Sequence, residues 1–310
     1  MWVSLRSAPM SAANRIDLLD PYEVAQLGGV EIVAEGVVEG FLAGLHRSPF
    51  RGFSVEFAEH RPYQAGDELR YVDWRMLARS DRLFVKQYEE ETNLRSMIVL
   101  DVSASMDWSG AERRLTKLAY AKRLVAALAL VFLRQRDATG FIGFDDTVRS
   151  VVPARARRQQ WWTLLSAVQN LPAGRGTAAA DALKRVTSML RRRGLVVFIS
   201  DMLFDRDLAL LALQFLRHRG HQVLVFHIMD PAELMLEGPP EARFQDLETG
   251  ELVSARPREL RAAYNETVRR TIAAWRLQCR RSGIAYHHVL TDTPFGYVLR
   301  RAMLRRARLG

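Results

Sequence analysis

Apolar segments of strand length alternate with helical segments from residue 96 onward, and this alternation restricts the possible fold more than any other feature. The strand segments are 97–102, 139–144, 148–152, 195–200, 222–228 and 284–290. The helical segments are 115–134, 159–171, 178–193, 208–219 and 259–282. Strands that are buried on both faces read as continuous apolar runs, and intervening helices allow parallel crossovers. The pattern therefore predicts an α/β fold, with about six mostly parallel strands covered by helices on both faces.

Two regions precede this α/β domain, which we place at 96–310. The first, 1–48, is predicted to be helical, with a start at Asp20-Pro21 and a break at Gly28-Gly29. The second, 49–95, is predicted to be a small β-rich element with strands near 53–57 and 83–87. Within the α/β domain, 244–253 is predicted to be an inserted β-hairpin with its turn near Gly250.

Cysteine content and hydropathy narrow the class of protein. Cys279 is the single cysteine among 310 residues, so no intrachain disulfide can form and a reducing compartment is expected. The longest purely apolar run, 124–133, is far shorter than the ~20 residues that a membrane-spanning helix needs. We therefore expect a cytoplasmic protein without a transmembrane segment.

The formal net charge of +10 could indicate a nucleic-acid-binding protein. The basic residues are spread along the chain, however, and in the densest stretch, 258–310, the closing arginines at 300–308 have no interleaved aromatic residues on which bases could stack. We interpret this stretch as a solvated helix face or tail, and no nucleic acid is expected as a partner. An acidic protein partner or peripheral contact with a membrane surface remains an alternative.

The first strand segment leads into the sequence D-V-S-A-S, which places Asp101, Ser103 and Ser105 in the following loop. Open α/β sheets bind ligands at the carboxyl ends of their strands, where this loop is expected to lie. The spacing brings one carboxylate and two hydroxyls to one side of a tight loop, and hard divalent cations prefer such oxygen ligands. The motif predicts a cation site, although the same side chains could instead cap helices.

Two later loops are predicted to bring further oxygen atoms to the same edge of the sheet. The sequence G-R-G-T at 174–177 precedes a helical segment and offers the Thr177 hydroxyl. Asp201 directly follows the strand segment at 195–200. The candidate metal ligands are therefore Asp101, Ser103, Ser105, Thr177 and Asp201.

This set resembles the metal-ion-dependent adhesion site of von Willebrand factor A domains, in which D-x-S-x-S is combined with a distant Thr and Asp. The resemblance implies a von Willebrand factor A-like, Rossmann-type fold that binds Mg²⁺, with Mn²⁺ and Ca²⁺ as alternatives. It implies direct metal contacts from the three hydroxyls and water-mediated contacts from Asp101 and Asp201. An open coordination position would then accept an acidic side chain of a partner protein.

The region before the α/β domain carries a longer signature. R-P-Y-Q-A-G-D-E-L-R-Y-V-D-W-R-M-L-A-R at 61–79, followed by L-F-V-K-Q-Y-E-E-E-T at 83–92, resembles the domain-of-unknown-function-58 family. Its members are bacterial proteins typically encoded beside MoxR-type AAA+ ATPases. The resemblance implies a chaperone-like, protein-binding adaptor or co-chaperone of such an ATPase. Many members carry N-terminal membrane helices, and their absence here indicates the short, soluble form.

Two other functions remain as alternatives. A metal-dependent hydrolase such as an aspartyl-phosphate phosphatase also places Asp after a buried strand. It needs a second Asp two residues later as general acid, and Ser103 occupies that position. A basic nucleic-acid-binding protein is the other alternative, and it would lose affinity steeply as salt rises. We expect a binding module with no catalytic residue and not an enzyme.

Overall fold

The computed structural model describes residues 16–46, 60–62, 84–86, 94–157, 159–174, 179–236 and 240–306. The chain divides into two compact units. The large unit comprises Met1–Arg47 and Leu94–Gly310, and the small unit is Ser48–Asn93. The N-terminal helical segment thus belongs to the same unit as the main sheet.

The small unit contains two described strands, β1 (His60–Pro62) and β2 (Phe84–Lys86). They pair antiparallel, with His60 opposite Lys86. The second strand confirms the strand expected near 83–87. The strand expected near 53–57 lies outside the described residues.

The large unit is built on a six-stranded sheet. Its strands are β3 (Arg95–Asp101), β4 (Ala138–Phe144), β5 (Val148–Arg155), β6 (Leu195–Ser200), β7 (Gln222–Met229) and β10 (Ala285–Leu290). Their spatial order is β10-β7-β6-β3-β4-β5, and all neighbours run parallel except β4 and β5, which are antiparallel. The predicted mostly parallel α/β sheet is confirmed, and each predicted strand is present.

Helices cover both faces of this sheet. They are α1 (Pro21–Gln26), α2 (Val30–His46), α3 (Lys117–Arg134), α4 (Gln160–Gln169), α5 (Ala179–Met189), α6 (Arg206–His218), α7 (Pro257–Arg281) and α8 (Phe295–Arg306). α2, α3, α4 and α8 pack with one another on one face. On the other face, α5, α6 and α7 share a hydrophobic core that includes Trp275 and Cys279.

Cys279 is buried, which raises the pKa of its thiol to about 12.

The N-terminal helices begin and break where the sequence predicts. The Asp20 carboxylate accepts the backbone N–H groups of Tyr22 and Glu23, and Pro21 occupies the first helical position. The chain leaves the helix at residues 27–29 and resumes it in α2. An apolar face of α2, which includes Val33 and Val37, is buried, and α2 packs mainly against α3.

The C-terminal part contains the predicted hairpin and a helix that the sequence interpretation missed. The hairpin strands are β8 (Ala242–Gln245) and β9 (Leu252–Ala255), which pair antiparallel. α8 buries Val298, Leu299 and Met303, while Arg300 and Arg301 are exposed. Part of the arginine-rich stretch is therefore a solvated helix face. No helix in the described ranges is both long and apolar enough to cross a membrane.

The sheet order places two loops side by side. β3 is hydrogen-bonded to β4 on one side and to β6 on the other, and both neighbours run parallel to it. Chain connections leave β3 and β6 in opposite directions across the sheet, which makes the gap between their carboxyl ends the topological switch point. The loops after Asp101 and Ser200 flank that gap, so the fold positions a ligand site there.

Candidate metal site

Asp101 ends β3 and is fully buried. Its Oδ1 atom accepts the Ser103 backbone N–H at 2.9 Å, and its Oδ2 atom accepts the Ser200 hydroxyl at 2.7 Å. Ser200 ends the neighbouring strand β6, and its hydroxyl oxygen also accepts the Met202 N–H. These bonds fix the carboxylate between the two loops of the switch point.

The two serines of the motif are brought together as predicted. The Ser103 and Ser105 hydroxyl oxygens lie 3.1 Å apart and both residues are buried. A short 3-10 turn, Ala104–Met106, turns both side chains to the same side. Adjacent oxygen ligands in an octahedral Mg²⁺ shell, with bonds of about 2.1 Å, are separated by about 3 Å. The spacing of the two hydroxyls therefore suits a hard divalent cation.

The charge of Asp101 lacks a basic partner among the described residues. Burial, and to a lesser extent the nearby charge of Asp201, raise the pKa of Asp101 from its ordinary value to about 7. Hydrogen bonds from the two serines act in the opposite direction. A buried carboxylate in this position is costly to ionise, and a bound cation would reverse that cost.

Asp201 directly follows β6, as predicted, but it is already paired with a cation. Its Oδ2 atom accepts a hydrogen bond from Lys117 Nζ at 2.9 Å, and its Oδ1 atom accepts the Leu203 N–H. Lys117 begins α3 and its side chain is 1% exposed. Burial alone would lower the pKa of Lys117, but the charges of Asp201 and Glu233 raise it above its usual value.

The Lys117 ammonium also binds Glu233, which connects the site to the end of β7. Glu233 lies in the short 3-10 helix Pro231–Leu234, and its Oε2 atom accepts the Asp230 N–H at 2.7 Å. Asp230 in turn caps this helix and forms an ion pair with Arg114. A chain of contacts between charged residues thus runs from Asp201 through Lys117, Glu233 and Asp230 to Arg114 along the carboxyl edge of the sheet.

Thr177 lies outside the described residues, so its predicted place in the site stays a prediction. The loop that leads to it is anchored beside the motif, because the Gly174 N–H donates to the Val102 carbonyl at 2.6 Å. Asp145 lies against Gly174, but its carboxylate accepts the Thr147 N–H and pairs with Arg149. Asp145 therefore belongs to the turn between β4 and β5.

The donor set fits a cation held largely by hydroxyl groups. Four of the five candidate ligands lie in the described ranges, and the fold gathers Asp101, Ser103 and Ser105 next to Asp201. No group of three or more His, Cys, Asp or Glu residues that could hold a metal occurs in the part of the chain that the structure describes. Any metal at this edge would therefore depend on the serine hydroxyls.

Sequence reasoning missed three residues of the site: Lys117, Ser200 and Glu248. Glu248 lies between the hairpin strands, and its Oε1 atom accepts the Ser105 N–H at 3.5 Å. Lys117 did carry a signal, because it is one of only four lysines among 45 basic residues and starts a strongly apolar helix. Nothing in the local pattern around Ser200 or Glu248 indicates that either one reaches the motif.

The strand order, with one antiparallel edge strand and D-x-S-x-S at the switch point, defines a von Willebrand factor A-like α/β protein. The family model described as "Protein of unknown function DUF58" matches residues 59–274. The chain belongs to this family, as its signature indicated.

Curated relatives support the same assignment. An uncharacterized protein of Mycobacterium bovis is 34% identical over 248 residues, which cover 76% of this chain and 74% of that protein. An uncharacterized protein of Mycobacterium tuberculosis matches with the same identity and coverage.

Solved structures of similar shape include two from Bacteroides. The conserved hypothetical protein BatB of Bacteroides thetaiotaomicron is 17% identical, covers 70% of this chain and 98% of its own, and has a TM-score of 0.46. An aerotolerance-related membrane protein of Bacteroides fragilis is 18% identical, covers 70% and 100%, and has a TM-score of 0.48. Because both scores lie below 0.5, the fold assignment rests on the strand order of this chain.

Proposed function

We propose that this protein is a divalent-cation-dependent protein-binding module and acts as an adaptor or co-chaperone of a MoxR-type AAA+ ATPase. The observation that carries the proposal is the pair of buried hydroxyls, 3.1 Å apart, next to a buried Asp101 carboxylate with no basic partner among the described residues. The ATPase as partner comes from the family resemblance alone.

The residues of this site are suited to binding rather than to turnover. Ser103 and Ser105 would hold the cation through neutral oxygens, and Asp101 would contact it through water. A bound Mg²⁺ would supply positive charge that attracts an acidic side chain of the partner. Because Lys117 already neutralises one carboxylate of the cluster, the cation would keep much of its charge for that side chain.

An exposed apolar surface next to the site favours a protein partner over a small molecule. Leu203, two residues after Asp201, is 63% exposed. Leu208, Leu211 and Phe215 follow at helical spacing on α6 and are also exposed. Exposed apolar side chains near a polar site are typical of protein-binding surfaces.

The test is capture of the purified ATPase on immobilised protein with Mg²⁺ or with EDTA. Wild-type protein should retain the ATPase only with Mg²⁺, and Asp101→Ala or Ser103→Ala should reduce capture roughly tenfold or more. Ser109→Ala is the matched control, because Ser109 lies in the same loop region and, within the described residues, its hydroxyl donates to the nearby Ala111 carbonyl and not to the site. Capture that is equal in EDTA, or unchanged in both site variants, would disprove the proposal.

A further inference from the structure

The turn of the inserted hairpin brings a fourth carboxylate to the candidate metal site. Glu248 Oε1 lies 3.5 Å from the Ser105 backbone nitrogen, and Glu248 is separated from Ser105 by 143 positions in sequence. Burial raises the pKa of Glu248, the Ser105 hydrogen bonds oppose this, and the charge of Asp201 adds to the rise. Glu248 therefore lies within electrostatic reach of both halves of the site.

The hairpin turn is built so that it fixes the direction of Glu248. The Asp246 carboxylate accepts the backbone N–H groups of Glu248 at 2.7 Å and of Thr249 at 3.0 Å. Gly250 adopts a φ of +77°, a conformation that glycine permits without strain, and its N–H donates to the Asp246 carbonyl. The turn thus holds the Glu248 backbone in one conformation.

Apolar packing does not explain why the turn lies at this edge. Most residues of β8 and β9 are exposed, including Leu252 at 61% and Val253 at 54%. A two-stranded hairpin with no buried face has little stability of its own. The contact between Glu248 and the Ser105 loop is therefore a specific polar contact at the end of an otherwise exposed arm.

Among the described residues, the acidic side chains of this cluster outnumber its cations. The carboxylates of Asp101, Asp201, Glu233 and Glu248 contribute four formal negative charges, and Lys117 contributes one positive charge. Bringing Glu248 to such a cluster is repulsive in itself. A dication on the serine hydroxyls would convert that repulsion into attraction, because the largest local charge would then be positive.

We infer that Glu248 is an internal acidic ligand of this site and takes the position that a carboxylate of the partner protein would otherwise take. This inference rests on the proposed function. The hairpin, 242–255, then acts as a tethered competitor with an effective concentration on the order of millimolar. An external acidic side chain must displace it, so the hairpin sets the affinity threshold for partners.

The first measurement is Mg²⁺ binding by titration calorimetry on the whole chain. Glu248→Gln should weaken Mg²⁺ binding roughly tenfold, because a charged ligand is lost. Glu251→Gln is the matched control, because Glu251 is an exposed residue of the same turn and its hydrogen bonds in the described ranges are backbone ones within that turn. This variant should bind Mg²⁺ like wild type. Ser103→Ala should abolish binding in either background.

The second measurement is amide hydrogen exchange of residues 240–256. Mg²⁺ should slow exchange there in wild type and in Glu251→Gln, but not in Glu248→Gln. ATPase capture should increase although Mg²⁺ binding weakens, so Glu248→Gln should retain more ATPase than wild type at saturating Mg²⁺.

The outcomes separate the two proposals. If Ser103→Ala abolishes Mg²⁺ binding while Glu248→Gln and Glu251→Gln both match wild type, the internal ligand is wrong and the metal site stands. If wild-type protein binds no Mg²⁺, both proposals fail.

Discussion

Two strands of the main sheet end in a fully buried aspartate, and the two carboxylates are satisfied in opposite ways. Asp230, after β7, pairs with Arg114, caps a short helix and lies 3.4 Å from the Thr291 hydroxyl. Asp101, at the end of β3, accepts hydrogen bonds from Ser103 and Ser200 and pairs with no basic side chain among the described residues. Both aspartates have 0% exposure, so burial does not distinguish them.

The difference separates a structural carboxylate from one suited to binding. Asp230 has its countercharge within the fold, and this arrangement stabilises the folded chain without any ligand. Asp101 is hydrogen-bonded but not neutralised, which leaves a charge that an external cation could balance. Asp201, on the strand between them, is intermediate, because it belongs to the candidate site and is neutralised by Lys117.

Removing Lys117 should produce the largest change in the free energy of unfolding, because it would leave Asp201, like Asp101, without a basic partner among the described residues. Lys117→Met removes the only cation that contacts Asp201 and Glu233 within the described ranges. Breaking a buried pair from one side typically costs 3–5 kcal/mol, so we expect the free energy of unfolding to fall by about 4 kcal/mol. Urea unfolding at pH 8 in EDTA measures this change.

The matched control lies on the same helix. Lys122→Met removes a lysine whose Nζ atom donates to the Gln169 carbonyl and forms no ion pair within the described ranges, and we expect a change within about 0.5 kcal/mol. If Lys117→Met and Lys122→Met unfolded at the same urea concentration, Asp201 would not depend on Lys117, and its intermediate position in the comparison would be wrong.

The same substitution should have opposite effects at the two strand ends. In EDTA at pH 8, Asp101→Asn should raise the free energy of unfolding by about 3 kcal/mol, because it removes a buried charge that the fold does not neutralise. Asp230→Asn should lower it by about 2 kcal/mol, because it leaves Arg114 without its partner. Urea unfolding of both variants beside wild type tests the pair.

The pH dependence of the free energy of unfolding gives the sign of the contribution that Asp101 makes to stability. Its folded-state pKa of about 7 lies above its ordinary value of 3.8, so the folded chain keeps a proton that the unfolded chain has lost. Stability from this group is therefore present below pH 4 and is lost as the pH rises towards 7. Asp101→Asn should remove this loss, and a parallel pH profile for variant and wild type would contradict the assignment.

Much of the fold could be predicted from the sequence, because the physical signals for it are local. Buried parallel strands such as 195–200 read as unbroken apolar runs, and Asp20-Pro21 marks a helix start by capping chemistry. The position of D-x-S-x-S after such a strand was enough to place Asp101, Ser103 and Ser105 in one loop. α8 was missed because its arginines mask the apolar spacing of the face that it buries.

The electrostatics of the site could not be predicted, because they depend on residues that are distant in sequence. The Lys117–Asp201 contact spans 84 positions, and the Ser105–Glu248 contact spans 143. Neither pair shares a motif, and each contact exists only once the strand order is known. Sequence spacing thus located oxygen donors but gave no indication of which carboxylates already have a countercharge.

Addition of Mg²⁺ should give the smallest effect and tests the comparison most directly. At ten times its dissociation constant, a ligand that binds only the folded chain raises the free energy of unfolding by about 1.4 kcal/mol. We expect this gain in wild type and in Asp230→Asn, and none in Asp101→Asn, with the dissociation constant taken from calorimetry. A gain of equal size in all three proteins would mean that Mg²⁺ binds elsewhere, and Asp101 would then be a buried aspartate with no cation to receive. A gain in wild type that disappears in Asp230→Asn would instead place the cation at the end of β7, and the roles of the two strand ends would be reversed.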